Sequence, residues 1–196
     1  MATVPVSTDE IHERYLKKAI AETNELGDEI RRAGDGRPPA LGSGHPLADI
    51  FLLKFRPQHS ELQEGVAFFG RAGQALVKSL QRLHVDPLAV YGTNCFKFDG
   101  GDEEQAAEWL LRELHIVQPK LVVVMGEDAL AFLNELEFPL SSPIEAKPGE
   151  VQRWTPTAEA LYVPDIDASL DEQAAKTRFW QALKALGPWW GELPPY

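Results

Sequence analysis

The apolar positions near the start of the chain follow helical spacing. Ile11, Tyr15, Ala19, Leu26 and Ile30 lie four or seven residues apart, which places them on one face of a helix. The segment that begins at residue 7 reads STDE, a capping-box pattern that favours a helix start. We therefore predict one amphipathic helix over about residues 8–33.

Farther along, the pattern changes to short and almost continuous apolar runs, which are typical of strands buried on both faces of a sheet. Such runs occur at about 49–54, 89–94 and 120–125, and two shorter strands are expected within 151–163. Helical segments of roughly 10–15 residues separate the runs. This alternation predicts a three-layer α/β/α sandwich with a central, mainly parallel sheet of about four strands.

The segments between and after these elements complete the predicted organisation. Residues 34–44 read GDGRPPALGSG, and their glycine and proline content predicts a loop. A last helix is predicted over about 169–186, where Ser169 and Glu172 have capping-box spacing. No regular structure is predicted for the tail, 188–196, although Trp189 and Trp190 are expected to dock on the body. We expect one domain over residues 1–196, with its α/β core at 45–187.

Composition narrows the class of protein. The chain has 196 residues and a net charge of −11, so its surface as a whole repels nucleic acid unless basic residues cluster locally. The single cysteine, Cys95, rules out an internal disulfide and a cysteine-held metal cluster, and it favours a reducing cytoplasm. The apolar runs are far too short to cross a bilayer, and no secretory signal is expected at the start.

Functional side chains are expected at one edge of the sheet. In open α/β sheets, ligands bind outside the carboxyl ends of the strands. The sequence predicts three such strand ends, and they are expected to line one cleft. They lie at 54–57, 94–97 and 126–127. The glycine-bounded loop that carries Phe68 and Phe69 would close its side. An aromatic face beside the Asn94 amide suits a flat heterocycle, because the amide offers a paired donor and acceptor.

The most informative run, residues 65–97, reads GVAFFGRAGQALVKSLQRLHVDPLAVYGTNCFK. The sequence GRAG, followed at this spacing by TN, resembles the uracil-DNA glycosylase superfamily, most of all its thermostable iron–sulfur class, family 4. Members of that class carry a strand that ends in GEAPG, then a glycine, then PFVGRAG, a helix and a strand that reads YITNVVKCRPP. The counterparts here are LKFRPQ at 53–58, Gly65, AFFGRAG at 67–73 and YGTNCFKF at 91–98. The similarity continues through 118–133 and, more loosely, to a helix that ends near Gly187.

The resemblance implies how a base would be bound. Phe68 falls on the aromatic residue that stacks on an extruded uracil, and Asn94 falls on the asparagine that hydrogen-bonds its edge. Gly70 and Arg71 fall in the loop that enters the following helix, where contact with DNA is expected. The implied partner is uracil-containing DNA, or a free base or nucleotide.

The catalytic positions differ from the family pattern. The acidic residue of GEAPG, which helps to position the attacking water, falls on Phe55, and the flanking glycines fall on Lys54 and Gln58. The late histidine motif, whose histidine stabilises the departing uracil anion, aligns with DID at 165–167. Phe55 is expected to line the base pocket and to fill the space of that water. The resemblance therefore implies the fold and the pocket wall but not the reaction.

The cysteines that hold the family's iron–sulfur cluster are also replaced. One position is Phe98, another lies near Glu108 or Trp109, and no cysteine precedes Cys95. We expect no iron–sulfur cluster and no other cofactor. The histidines at 45, 59, 84 and 115 lack the ligand spacing of a zinc site.

Several charged residues have both a functional and a structural interpretation. Lys54 and Arg56, at a strand end, form either a clamp for phosphate or carboxylate groups or a solvated rim. Asp165, paired with Asp167, either acts as a general base or belongs to an ordinary loop before a helix. His59 lies nearest the predicted cleft and is the histidine to test as an acid or base.

Two kinds of function remain open. The first is a uracil-DNA glycosylase-like protein with a DNA-repair-related role, which holds a uracil-type base, flipped from DNA, between Phe68 and Asn94. As an enzyme it would be a hydrolase of the N-glycosidic bond. Leu170 would then be a wedge that props the duplex open, or else an apolar contact at a helix entry. The alternative is a non-catalytic module on the same fold, which binds a nucleobase, a nucleotide or a protein.

Overall fold

The computed structural model describes residues 7–194, and its centre is a six-stranded sheet. The strands are β1 (Ser43–Gly44), β2 (Ile50–Lys54), β3 (Val90–Asn94), β4 (Leu121–Met125), β5 (Val151–Arg153) and β6 (Glu159–Val163). The helices are α1 (Thr8–Ala33), α2 (His59–Glu64), α3 (Arg71–Arg82), α4 (Glu103–Val117), α5 (Glu127–Glu135), α6 (Gln173–Leu183) and α7 (Leu186–Gly191).

The sheet is mainly parallel, as predicted. Its strand order is β1-β3-β2-β4-β6-β5, and the four central strands run parallel to one another. The short strands β1 and β5 pair antiparallel at the two edges. The strand β1 falls at the end of the predicted loop, 34–44, because a two-residue strand leaves no hydrophobic period to read.

Two layers of helices cover the sheet, which confirms the predicted three-layer sandwich. On one face, α4 and α5 pack against inward side chains such as Phe51, Leu53 and Val124. On the other face, α3, α6 and α7 pack against Leu52 and Val123 and their neighbours. The central strands are buried on both faces, which is why their sequences are almost continuously apolar.

The predicted N-terminal helix is confirmed as α1. Ser7 and Glu10 form the predicted capping box, since each side chain accepts a hydrogen bond from the other residue's backbone N–H. Leu26 and Ile30 on its buried face pack with residues of α4. No helix within residues 7–194, α1 included, combines the length and the apolar character needed to cross a membrane.

The predictions for the C-terminal segment need correction. The last long helix begins at Gln173 rather than at 169, because the Ser169 hydroxyl donates to the Asp165 carbonyl and does not cap a helix. The predicted unstructured tail contains α7, whose proline, Pro188, lies in the first turn, where a missing N–H costs nothing. Trp189 docks as expected and donates its Nε1–H to Glu159 at 2.6 Å. Residues 195 and 196 of that tail lie outside the described residues.

Candidate functional site

The strands β2 and β3 end side by side at the carboxyl edge of the sheet. Lys54 and Asn94 are the last residues of the two strands and are direct neighbours in the parallel register. Because parallel strands bring their carboxyl ends to one edge, the predicted proximity of these two side chains is confirmed. The edge therefore presents a lysine and an amide next to each other.

The loop between α2 and α3 places Phe68 against this edge. Gly65 ends α2 in the left-handed conformation (φ 75°), and Phe68 itself has a positive φ of 62°. The Phe68 ring lies on Gly92 of β3, where a Cβ atom would come within 2.7 Å of the ring. Gly73 permits an equally close approach, since its Cβ would lie 1.9 Å from the Phe68 carbonyl oxygen. The glycines at 92 and 73 thus create the place that the ring occupies.

Glu61 joins the loop to both strands. It is 1% exposed, and its Oε1 accepts hydrogen bonds from the Phe68 N–H at 2.6 Å and from Asn94 Nδ2 at 3.3 Å. Its Oε2 accepts from Lys54 Nζ at 2.8 Å and from the Gln58 N–H at 2.5 Å. Sequence reasoning missed this residue because HSELQE looks like a solvated helix. The available signal was its position three residues after Gln58, where an acidic side chain completes a capping box.

The Asn94 amide is only half satisfied. Its Nδ2 donates to Glu61, but its Oδ1 is fully buried and accepts no hydrogen bond from any residue in the described part of the chain. A buried acceptor without a partner costs about 1–3 kcal/mol, and folded proteins rarely leave one. Among the described residues the Trp109 Nε1 is also buried without a partner, so the Asn94 oxygen is a candidate ligand contact that other observations must support.

The end of β3 is also fixed from its other face by a buried ion pair. Lys97 Nζ donates to the Asn94 carbonyl oxygen at 2.7 Å and pairs with the Glu113 carboxylate. Glu113 Oε1 in turn accepts from the Tyr91 hydroxyl at 2.9 Å and from Thr93 Oγ1 at 3.0 Å. Burial, and then the Glu113 charge, raise the pKa of Tyr91 well above its ordinary range. The network holds the Asn94 backbone in place.

Lys54 is not the solvated rim residue that the sequence allowed. It is 1% exposed, and its Nζ lies 2.8 Å from carboxylate oxygens of both Glu61 and Asp167. The ammonium also lies over the Phe68 ring, 5.1 Å from the ring centroid. Every residue of β2 is buried, so the side chain at its end can find partners only inside the protein. Two carboxylates enclose it, and it does not face outward as a phosphate clamp would.

Arg56 has a different environment from Lys54. Its side chain is exposed, and its guanidinium lies 5.0 Å from the Phe55 ring centroid and 4.5 Å from that of Phe96. Phe55 itself packs edge-on against Phe96 and contacts Phe132. Position 55, which corresponds to the acidic residue of GEAPG, thus belongs to an aromatic cluster.

A cleft of about 560 Å³ opens at the carboxyl ends of β2, β4 and β6. Basic or aromatic side chains on one wall face several carboxylates on the other. The lining residues that matter here are Lys54, Phe55, Arg56, Glu127, Asp128, Asp165 and Asp167. Partial burial, and to a lesser degree the neighbouring Asp167 charge, raise the pKa of Asp165. A raised pKa makes this carboxylate a better base than an ordinary aspartate.

Of the predicted base-binding residues, Phe55 lines this cleft but Phe68 and Asn94 do not. Asn94 lines none of the clefts described for residues 7–194, and Phe68 instead borders a separate apolar cleft of about 740 Å³ along α3. Lys54 borders the first cleft and covers the Phe68 ring, so its side chain separates the two spaces. The expected single slot is divided by this lysine.

The remaining candidates lie around the rim. Arg71 is exposed and pairs with Asp171 at 2.8 Å, next to Leu170, which packs on the core as in its apolar-contact interpretation. Gly70 has a φ of 105° and caps α3. His59 is exposed at the start of α2 and borders none of the clefts described within residues 7–194.

Packed aromatic side chains lie at or near two of the positions that the resemblance assigns to cluster cysteines, Phe98 and a position near Glu108 or Trp109. Phe98 and Trp109 lie 6.1 Å apart between ring centroids and pack with Leu26 and Ile30 of α1. Cys95 lies elsewhere in the core, and burial raises the pKa of its thiol far above the usual value. Within residues 7–194, no His, Cys, Asp and Glu side chains are grouped to hold a metal ion. These residues do not fit a cysteine-held cluster.

Comparison with known proteins gives one consistent family. The sequence model described as the uracil DNA glycosylase superfamily matches residues 41–184. A type-4 uracil-DNA glycosylase from Archaeoglobus fulgidus is 27% identical over 165 residues, which span 79% of this chain and 83% of that protein. A type-4 uracil-DNA glycosylase from Sulfurisphaera tokodaii is 28% identical over 158 residues, which span 70% of this chain and 72% of that protein.

Proposed function

This chain belongs to the uracil DNA glycosylase superfamily, and from that membership we propose that it recognises a uracil-type base in DNA in a repair-related role. The two similar proteins named above are both type-4 uracil-DNA glycosylases, which supports DNA as the partner. We also propose that residues 1–196 act as one domain in the cytoplasm. The packing of α1 on α4 supports the single domain.

The observation that carries this proposal is the half-satisfied amide of Asn94. Its buried Oδ1 accepts no hydrogen bond from the described residues, and its Nδ2 lies beside it as a donor. The edge of uracil offers the complementary pair, because its ring N3–H is a donor and the adjacent carbonyl oxygen is an acceptor. Insertion of the base would satisfy the orphan oxygen and recover the free energy that its burial costs.

The Phe68 loop supplies the second element of recognition. Its ring has a fixed position on Gly92, and the Phe68 N–H points at the same carboxylate oxygen as the Asn94 amide. A base that stacked on this ring would place its polar edge at the Asn94 amide, whose Nδ2 has a second hydrogen to donate. Stacking and edge hydrogen bonds would offset the few kcal/mol that extrusion of a base from DNA costs.

Hydrolysis would require a base that accepts a proton from water while oxygen attacks the sugar carbon and the glycosidic electron pair leaves with the uracil. Asp165 is the carboxylate whose raised pKa and position in the cleft best suit that task. The second candidate function is recognition of the base without hydrolysis, which we call a reader function. The observation in its favour is Phe55, whose ring is packed among other aromatic rings where the motif has an acid.

The test compares DNA oligonucleotides that differ only by uracil or cytosine at one position, because cytosine reverses the donor and acceptor that the Asn94 amide would contact. We expect the protein to bind the uracil strand more tightly, and Asn94→Ala to remove that preference. Asn24→Ala, an exposed asparagine of α1, is the matched control. An unchanged preference in Asn94→Ala, or no preference in any form of the protein, would overturn the proposal.

The same oligonucleotides separate the two candidate functions. After incubation, hot alkali breaks a strand wherever the base has been removed. Strand breakage at uracil that Asp165→Asn abolishes would identify a glycosylase. Preference for uracil without breakage would identify a reader.

A further inference from the structure

The ammonium group of Lys54 lies where a base stacked on Phe68 would lie. It is 5.1 Å from the centroid of the ring, and aromatic rings that stack have centroids roughly 4.5–7 Å apart. The ammonium and a base cannot both occupy that space. We propose that Lys54 is an internal gate that closes the base site, an inference that rests on the function proposed above.

The closed position is stabilised by charge. Lys54 Nζ lies 2.8 Å from an oxygen of Glu61 and 2.8 Å from an oxygen of Asp167, and water reaches little of this group. Glu61 is anchored on α2 and holds the Phe68 and Asn94 donors at the same time. The same carboxylate therefore connects the gate to both recognition groups, and the lysine is held over the ring until something displaces it.

The structure also provides a place to which the displaced lysine can move. The cleft of about 560 Å³ on the open side of Lys54 is lined by Glu127, Asp128 and Asp165. These carboxylates can receive the ammonium after it leaves Glu61. A rotation about the flexible lysine side chain would uncover the Phe68 ring without movement of the backbone. This accounts for an acidic cleft on an edge that is proposed to meet DNA.

The motif comparison agrees with a gate at this position. GEAPG has glycine where this chain has Lys54, and glycine has no side chain to lie over the ring. In this chain the base site is either open or closed, and only the open state binds. The apparent affinity for a base is therefore the intrinsic affinity multiplied by the fraction of molecules that are open.

Two substitutions separate the volume of the gate from its charge. Lys54→Gly removes both the side chain and the ammonium, whereas Lys54→Met keeps most of the volume and removes the charge. Binding to the uracil and cytosine oligonucleotides is measured by fluorescence anisotropy at one fixed salt concentration. We expect Lys54→Gly to bind the uracil strand about tenfold more tightly than the unchanged protein. Lys54→Met is expected to lack that gain.

The cytosine strand and a surface lysine provide the controls. Loss of one positive charge weakens binding to any phosphate backbone, and Lys176→Met, at an exposed position of α6, measures that effect. The gain in Lys54→Gly should be confined to the uracil strand, and the further substitution Asn94→Ala should remove it. If Lys54→Gly does not fold because Glu61 loses its partner, Lys54→Gly combined with Glu61→Gln replaces it in the same assay.

The outcomes distinguish the gate from the function on which it rests. If the unchanged protein and Lys54→Gly prefer uracil equally, the gate is wrong and the proposed function stands. An equal gain in Lys54→Met and Lys54→Gly would also overturn it, because charge alone would then explain the effect. If no variant prefers uracil, the proposed function and the gate fail together.

Discussion

Asp165 illustrates how one residue takes its chemistry from its surroundings. It lies on the wall of the carboxyl-edge cleft, and its Oδ1 accepts the Asp167 N–H at 2.9 Å. Partial burial raises its pKa because the charged form loses contact with water. The hydrogen bond acts in the opposite direction but is the smaller effect. At neutral pH the carboxylate is therefore charged in surroundings that favour its neutral form.

This environment gives a stability change with a defined sign. An acid whose pKa is raised by folding destabilises the native state once the pH exceeds its value in the unfolded chain, near 3.8. We expect Asp165→Asn to raise the thermal midpoint at pH 7, since an amide keeps the acceptor and has no charge. The gain should shrink as the pH falls and vanish below that value.

Thermal unfolding followed by circular dichroism across a pH series checks this expectation. Asp99→Asn, an exposed aspartate outside the cleft, corrects for the loss of one negative charge. A lower thermal midpoint for Asp165→Asn at pH 7, with a loss that faded toward acid pH, would instead show that the fold stabilises the carboxylate and lowers its pKa.

For individual residues, the sequence predicted where a side chain lies better than which side chain it contacts. Phe68 and Asn94 could be placed near one edge because glycines, an apolar run and strand ends mark that region. The pairing of Lys54 with Asp167 could not be predicted, because 113 residues separate them and charge alone does not name a partner. Glu61 was hidden for a related reason, since its neighbours in sequence are polar and its burial arises only when the loop folds over it.

Among the elements, the contact between α1 and the segment after β3 is the least expected. Phe98 and Trp109 pack with Leu26 and Ile30 of α1, at positions that the resemblance assigns to cluster cysteines. In a protein with a metal cluster, metal–ligand bonds would join that segment to α4. Here the packing of buried apolar side chains joins them, and α1 covers the aromatic pair.

Removal of the indole should therefore weaken the fold measurably. We expect Trp109→Ala to lower the free energy of unfolding by about 3–5 kcal/mol, the range for truncation of a buried aromatic side chain. Urea unfolding followed by circular dichroism measures the change. Leu88→Ala, at a side chain that is 75% exposed, is the control and should lie within about 0.5 kcal/mol of the unchanged protein. A loss for Trp109→Ala no larger than that of the control would show that the pair does not hold α1.

Element boundaries followed the strength of the local signal. The strands β2, β3 and β4 and the helix α1 were predicted to within a residue, because continuous apolar runs and a capping box mark them. The split between α6 and α7 was missed, because no proline or glycine separates Leu183 from Leu186. The strands β5 and β6 lie within the predicted segment 151–163, whereas β1 pairs over so few residues that only its neighbour defines it.

For the whole molecule, the acidic surface limits how DNA can be bound. The net charge is −11, and Arg56 and Arg71 are the arginines at the proposed edge. We expect affinity for the proposed DNA partner to depend mainly on the base site and only weakly on phosphate contacts. This differs from proteins that bind DNA through a broad basic face.

The dependence of affinity on salt measures this balance. Two phosphate contacts predict a slope of about −1.4 in a plot of log affinity against log salt for a single strand, at about 0.7 per contact. Arg56→Gln should reduce the slope by about 0.7, whereas Arg32→Gln on distant α1 should leave it unchanged. A flat plot would exclude phosphate contacts, and a slope several times steeper would require a basic surface that these residues do not form.

The contact between Phe68 and Gly92 has a consequence for how such chains can diverge. Any side chain at 92 would collide with the ring, since even a Cβ would approach within 2.7 Å. A side chain at 92 therefore requires a smaller residue at 68, so each position limits the residue types that the other can hold.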